Sequence, residues 1–534
     1  MTIVGLENTG QPEQPLTRIT ISALPNNVLL EIFDFYLDPI QWLRSSTSRR
    51  RVPQYPDLWH TLAHVYCRWR CVATASPRRL NLRLLCTEKR PVKRSVWPEL
   101  PIVIHAVFPK SRRSRSQGMK IIIAALKQQH NRVCRIIISD IPNPLLKKFA
   151  AILMKTPFPA LTQLTLQSAD KSAPVLLDSF LEGSAPRLQS FCFQGIPFPA
   201  LGKLHLSYRK LSELTLDNIP HSGYISPDAL VSSLSGLTRL RLLVLNFQSP
   251  RPRALRERRV PPSLARIVHP SLSMLYFKGD SEYLEDMLSR METLMVNLHV
   301  RITFFNQLVF DTPLLRNLIN RAEMFEPFHR AEISFSSYNV LFALFSKDGL
   351  AGSEVLGLGI SCRPSDWQLS SLAQALGSSI PPLPTLERLE LRENHYQPQH
   401  WQDDIENAQW LEILRPFTSV KDLVLSGQLV QLVAPALGEP IGERATEELP
   451  ALQNIFVEGV LPSGSLPWQK AVGQFVTARQ ISGRPVAIHY PVNTVGDTQV
   501  TVFSLFSVRL MPHVVSVSLP INPTRNELTL CDFI

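Results

Sequence analysis

The 534-residue sequence lacks the usual marks of a catalyst. No Gly-x-x-x-x-Gly-Lys-Ser/Thr loop occurs, and Gly357-Leu-Gly359 stands without the third glycine of a dinucleotide fingerprint. Both phosphate cradles that such motifs build from backbone N–H groups are therefore missing. Glycine is scarce altogether, 22 residues against 44 prolines, which suits stiff element boundaries better than supple phosphate-binding loops. There is no His-Glu-x-x-His and no Gly-x-Ser-x-Gly elbow. Ser207-x-x-Lys210 lacks the Ser-Asp-Asn and Lys-Thr-Gly partners that would give such a pair a reaction. The expectation is a protein that is not an enzyme and carries no cofactor.

The sequence is equally short of membrane and export signals. No apolar stretch reaches the roughly 18 residues that span a bilayer, and the longest candidate, Val502–Leu519, is interrupted by Arg509, Pro512 and His513. Met1–Pro15 has neither a basic start nor an apolar core, so no secretory signal is read there. Seven cysteines without regular spacing fit free thiols in a reducing compartment. A cytoplasmic and/or nuclear protein with no membrane role is expected.

The charge balance is the one lopsided number. The net charge is +12, concentrated in Arg49–Arg51, in Lys110–Arg115 and in Arg251–Arg259. Runs of this kind are usually solvated loops, and without interleaved aromatics they do not form a nucleic-acid groove. His60, His64, Cys67 and Cys71 fall at i, i+4, i+7 and i+11 of an expected helix. They would span about 16 Å at helical rise, too far to converge on one tetrahedral metal. No metal is expected, and nucleic acid is not the expected partner.

What the sequence does hold begins at Leu24-Pro25. Val28, Leu29, Ile32, Phe33 and Tyr36 form an apolar stripe at helical spacing, with Ser22 or Asn26 able to cap it and Asp38-Pro39 ending it. A second helix is expected from about Leu58 to Thr74, with Leu62, Val65, Trp69 and Val72 on its buried face. Leu24-Pro25, Val28, Leu29, Ile32 and Phe33, then Val65-Tyr66-Cys67-Arg68-Trp69-Arg70 and Leu80–Leu85, resemble an F-box domain. Ala75–Cys86, Trp97–Ile104, Tyr224–Leu230, Ile302–Gln307, Asp366–Ser371, Trp410–Phe417 and Phe475–Val486 are similar to the large F-box family of mushroom-forming fungi. The likeness runs over roughly residues 20 to 490. It implies that Leu24, Pro25, Val28, Leu29, Ile32 and Phe33, with Val65 and Trp69, dock on the Skp-type adaptor of a cullin-based ubiquitin ligase.

Independently of that likeness, a Leu-x-x-Leu-x-Leu pattern recurs, the strand signature of leucine-rich repeats. It runs through Val133/Ile136/Ile138, Leu161/Leu164/Leu166, Leu188/Phe191/Phe193, Leu211/Leu214/Leu216, Leu240/Leu243/Leu245 and Leu272/Leu275/Phe277 at offsets of 23 to 32 residues. It returns at Leu386/Leu389/Leu391, Val420/Leu423/Leu425 and Leu452/Ile455/Val457. Helical stretches such as Pro174–Leu181, Ser226–Leu234 and Tyr283–Arg290 lie between strands. Residues 294–362 fit poorly, with strands expected near 300–305, 331–335 and 355–360. Ordinary buried strands of an α/β domain would read similarly.

The expected fold is therefore α/β: a disordered tail (1–18), a helical F-box (19–85), an irregular leucine-rich repeat-like solenoid (86–490) and an extension beyond the likeness (491–534). Residues between the leucines of each strand would form the binding face. Gln163, Thr165, Gln194, Glu213, Thr215, Asp217, Arg388, Glu390 and Arg392 are candidates for gripping a target protein, with Arg135, Gln167, Ser190 and Glu458 beside them. Their mixed signs and lack of aromatics suit a protein ligand. The functional expectation is a substrate-recognition subunit of a cullin-type ligase; the alternative is a repeat scaffold outside the ubiquitin system.

Overall fold

The computed structural model describes residues 24–36, 62, 64–77, 79–92, 100–108, 112–170, 174–175, 184–197, 210–250, 267–268, 271–292, 298–325, 327–346, 354–362, 365–393, 407–438, 449–458 and 467–489. All belong to one compact unit, Met1–Asn493. The expected tail 1–18, Ser22, the runs Arg49–Arg51 and Arg251–Arg259, His60, most of the helix at Pro174–Leu181 and the extension 491–534 lie outside the described residues.

The architecture is mixed α/β. Among the described residues its helices include α1 (Asn26–Tyr36), α2 (Cys67–Ala75), α3 (Arg112–Gln128), α4 (Asn143–Lys155), α5 (Pro227–Leu234), α6 (Ser281–Arg290), α7 (Pro313–Phe325), α8 (Ser365–Ser379), α9 (Asn407–Leu414), α10 (Leu429–Gly438) and α11 (Pro467–Ile481). Among the described residues a sixteen-stranded sheet grows almost in chain order. It starts with β1 (Leu84–Cys86), β2 (Ile102–Val107), β3 (Val133–Ile141), β4 (Gln163–Ser168), β5 (Ser190–Gln194), β6 (Glu213–Ile219) and β7 (Leu242–Phe247), each parallel to the last. A separate parallel pair is formed by β8 (Ile267–Val268) and β10 (Met291–Glu292).

Register explains why the leucines recur. Ile136, Leu164, Phe191, Leu214 and Leu243 are ladder partners in turn, and the row continues to Leu275 on β9 (Met274–Gly279) and Val300 on β11 (His299–Phe305). A one-residue slip would turn all of these side chains to the other face. They are buried in a core shared with helix residues such as Leu146, Phe149, Leu230 and Leu284. Each fully buried aliphatic side chain contributes about 1.5–3 kcal/mol.

A left-handed residue recurs near the strand ends. Asp140 (φ 54°) and Asn218 (φ 54°) lie within β3 and β6, at ladder irregularities between the inward side chains Ile138 and Ile141 and between Leu216 and Ile219, while Gly195 (φ 67°) and Gly427 (φ 60°) directly follow Gln194 and Ser426, the last residues of their strands. Asp, Asn and Gly are the residues that enter this region at least cost. Helix starts are secured from outside as well as inside. Ser226 accepts a hydrogen bond from Ala229 N (3.2 Å) at α5, while Glu285 on α6 accepts from Leu314 N and Leu315 N (2.9 Å each) at the start of α7.

The structure adds to the sequence pattern in three places. In the poorly matching stretch 294–362 the strands expected near 300–305, 331–335 and 355–360 are β11, β12 (Phe328–Ser336) and β14 (Glu354–Ser361), and an unexpected strand, β13 (Asn339–Ser346), forms a hairpin with β12. The sheet order there is β11, β14, β13, β12 and then β15 (Arg388–Glu393), so β13 runs against all its neighbours. Beyond it, β16 (Asp422–Ser426), β17 (Asn454–Glu458) and β18 (Ala487–His489) resume chain order. The second N-terminal helix does not run unbroken from Leu58 to Thr74: Tyr66 is extended (φ −155°, ψ 147°), and α2 starts afresh at Cys67. Finally, β1 pairs with β2 and straddles the expected boundary between residues 85 and 86. Among the described residues, no helix is long and apolar enough to cross a membrane.

Candidate interaction surfaces

The first surface is the N-terminal helix pair. Pro25 fixes the approach to α1, and Leu29 N closes the first turn on Pro25 O (3.1 Å). Adjacent helix positions differ by about 100°, and that separation splits the apolar stripe in two. Leu29, Leu30 and Phe33 point inward, Phe33 meeting Trp69 edge-on with ring centroids 5.1 Å apart. Pro25, Val28 and Ile32 point outward and are exposed, with Leu24 half-buried beside them. Arg68 fastens α2 to this end of α1, donating to Leu24 O (2.7 Å) and Asn26 Oδ1 (2.8 Å). Arg79 pairs with Glu31 further along.

This geometry revises the expected docking set. Leu29, Phe33 and Trp69 are interior residues with almost no surface to offer, because they fill the space between α1 and α2. Val65, expected on a buried face, is 61% exposed and Tyr66 is 52% exposed, since the chain leaves helical geometry at Tyr66. The outward apolar residues are thus Pro25, Val28, Ile32, Val65 and Tyr66; the last was missed because an unbroken helix was assumed. Among the described residues no three His, Cys, Asp or Glu side chains are grouped to hold a metal, and Cys67 and Cys71 are free, exposed thiols.

The second surface is the sheet face opposite the buried leucines. The ladder puts Gln163, Ser190 and Glu213 in one row, Thr165, Cys192 and Thr215 in the next, and Gln167, Gln194 and Asp217 in a third. Asp217 accepts from Asn246 Nδ2 at 2.9 Å. Cys192, between the two threonines, has its thiol pushed up to about 12 by burial, with Asp217 and Glu213 adding to the effect. It is an inert spacer rather than a nucleophile.

The other candidates stand on β15, seven strand spacings from β6, or about 34 Å along the ladder. Arg388, Glu390 and Arg392 are joined there by Arg330 and Glu332 from β12. Glu390 accepts from Arg330 Nη2, Arg388 Nε and Arg392 Nε, each at 2.8 Å. Arg330 also reaches Glu332 (2.9 Å), and Arg392 reaches Glu458 (3.3 Å). Burial alone would push the Glu390 carboxyl up, but Arg330, Arg388 and Arg392 outweigh it and hold it below the usual carboxylate range. Glu332 moves the other way, raised by burial despite Arg330 and Arg392.

Glu390 is therefore the enclosed centre of a charge network and not a contact residue, because three guanidiniums cover its side chain. The face also carries more aromatic character than the repeat pattern suggested. Arg330 lies over the Phe345 ring (4.6 Å), Arg388 over Phe456 (5.6 Å), and His489 stacks on Phe456 at 4.7 Å. Phe456 occupies the position between Ile455 and Val457 and was readable there; Phe345 sits on the unforeseen antiparallel strand.

One pair has the look of reaction chemistry: His221 Nε2 lies 2.8 Å from Ser249 Oγ. The crevice that adjoins it holds about 10 Å³, room for one water and none for a substrate. No protein-family model matches the chain, and no curated protein matches its sequence.

Proposed function

We propose that the chain is the substrate-recognition subunit of a cullin-type ubiquitin ligase, with an F-box formed around α1 and α2 and an irregular leucine-rich repeat-like solenoid formed by the long sheet. In this reading Pro25, Val28, Ile32, Val65 and Tyr66 meet a Skp-type adaptor, and the sheet region holds a target protein. The reactions of ubiquitin transfer belong to other subunits.

The observation that carries the reading is the two-sided α1. Leu29 and Phe33 hold the helix pair together from within, while Val28 and Ile32 remain exposed on the same short helix. Exposed large apolar side chains gathered on one helix pair mark a surface that a partner covers. The resemblance of Leu24–Phe33 and Val65–Arg70 to an F-box gives that partner its identity.

The test is co-purification of the full chain with a purified Skp-type adaptor. Wild type binds, and Val28→Asp with Ile32→Asp abolishes binding while leaving the circular dichroism spectrum and melting temperature unchanged. A wild-type chain that fails to bind refutes the reading.

A further inference from the structure

Twelve large hydrophobic side chains are exposed among the described residues, and five of them, Leu308, Val309, Leu314, Tyr338 and Trp367, belong to one edge of the sheet. Leu308 and Val309 follow β11, Tyr338 is in the turn joining β12 to β13, and Trp367 is in the first turn of α8 after β14. Those four strands are adjacent in the order β11, β14, β13, β12, a width of about 14 Å. β11 and β14 pair directly, and the hairpin adds Tyr338 beside them.

Hydrogen bonds hold the edge in place. Gln368 Nε2 donates to Ser336 O (3.1 Å) and Cys362 O (2.7 Å), tying the turn that carries Tyr338 to the helix that carries Trp367. Ser371, one helical turn after Trp367, donates to Asn306 Oδ1, and Gln307 accepts from Ser281 N (3.4 Å) on α6. Leu308, 92% exposed, is thus presented between α6 and α8 by two fixed neighbours, and Trp367 is 56% exposed one turn above Ser371. Apolar side chains held outward by such a frame are ready for contact without further ordering.

The rim has a sign. The first two turns of α6, the loop after β11 and the first turn of α7 carry Glu282, Glu285, Asp286 and Asp311 against a single Arg316. Burial, followed by the proximity of Asp311 and Asp286, raises the Glu285 carboxyl despite its two backbone donors. Acidic residues along one side of an aliphatic and aromatic edge select a partner of opposite charge.

We propose that this edge is the target-capturing site, and that its ligand is a protein segment presenting an aliphatic or aromatic side chain beside lysine or arginine. The inference rests on the target-binding half of the function proposed above. It moves that half from the open sheet face to the edge where β11, β12 and β14 end.

The test pans a displayed library of random dodecapeptides against the full chain and against Leu308→Ser with Trp367→Ser, two exposed positions whose change leaves the core intact. Enriched peptides are expected to combine a large apolar residue with basic neighbours and to bind the variant about tenfold or more weakly, the loss typical of a hot-spot side chain. Affinity should also fall as salt rises. Failure to enrich any peptide, equal binding to the variant, or enrichment of acidic peptides overturns the proposal. So does self-association of the wild-type chain that the same substitutions remove, which would make a second copy the occupant. Adaptor binding measured on the same two proteins separates failure of the ligase reading from failure of this one.

Discussion

Replacing Glu390 by Gln isolates the charge network on β12, β15 and β17 with almost no change of shape. The wild-type carboxylate accepts three guanidinium hydrogen bonds at 2.8 Å, and its side chain is 3% exposed. Removing one member of a buried ionic network costs about 3–5 kcal/mol. The partners Arg330, Arg388 and Arg392 are themselves 27%, 37% and 35% exposed, so water and the remaining carboxylates Glu332 and Glu458 take up part of the loss. With that screening the expected destabilisation is about 2–3 kcal/mol at neutral pH. Urea unfolding at a series of pH values reads it directly. Because the folded-state pKa is depressed, the stabilisation is complete above the unfolded value of about 4.3. It fades as pH falls through the lower folded value, and the two proteins converge in strong acid. A difference below about 0.5 kcal/mol at neutral pH, or one that persists undiminished in strong acid, would refute the network as described.

Three further outcomes follow from the same geometry. Phe33→Ala should destabilise the helix pair by about 3–5 kcal/mol. Trp69→Phe should cost less than about 1 kcal/mol, since it also removes a buried indole N–H that has no partner among the described residues; equal losses would mean that the Phe33–Trp69 contact is not the pair's centre. Alkylation with iodoacetamide followed by mass spectrometry should label Cys67 and Cys71 well before Cys86 and Cys192, whose thiols burial pushes up to about 11 and about 12; early labelling of Cys192 would contradict its place in the sheet. Asn218→Val forces a β-branched residue to φ 54° and should lower stability by about 1–2 kcal/mol in thermal unfolding, whereas Asn218→Gly should be close to neutral. A neutral valine would argue against the left-handed turn.

The leucine rows were legible because burial repeats with the strand: Leu164, Phe191, Leu214, Leu243 and Leu275 are both the sequence pattern and the ladder partners. The start of α1 was legible from Pro25. Its division into an inner and an outer apolar side was not, because Val28, Leu29, Ile32 and Phe33 read as one stripe until α2 takes one side. The strand β13, which makes a hairpin with the expected strand at 331–335, was not legible, for a different reason. Its turn, Ser337-Tyr338, has no glycine or proline, and most of β13 is buried, so no alternation marks the strand. Glu390 looked like a surface carboxylate because the residue that closes over it, Arg330, is 60 positions away in the chain and is brought alongside only by that hairpin. Tyr338 joins the exposed edge of Leu308 and Trp367 through the same insertion.

The central claim is that the outer side of α1 is an adaptor-binding surface. A calorimetric titration of a purified Skp-type adaptor into the full chain tests it most directly, run on wild type, on Val28→Asp with Ile32→Asp, and on Leu308→Ser with Trp367→Ser. Wild type should bind saturably, the α1 variant should lose about a hundredfold or more from two interfacial charges placed against an apolar partner, and the edge variant should be unchanged. No binding by wild type, or undiminished binding by the α1 variant, would contradict the claim.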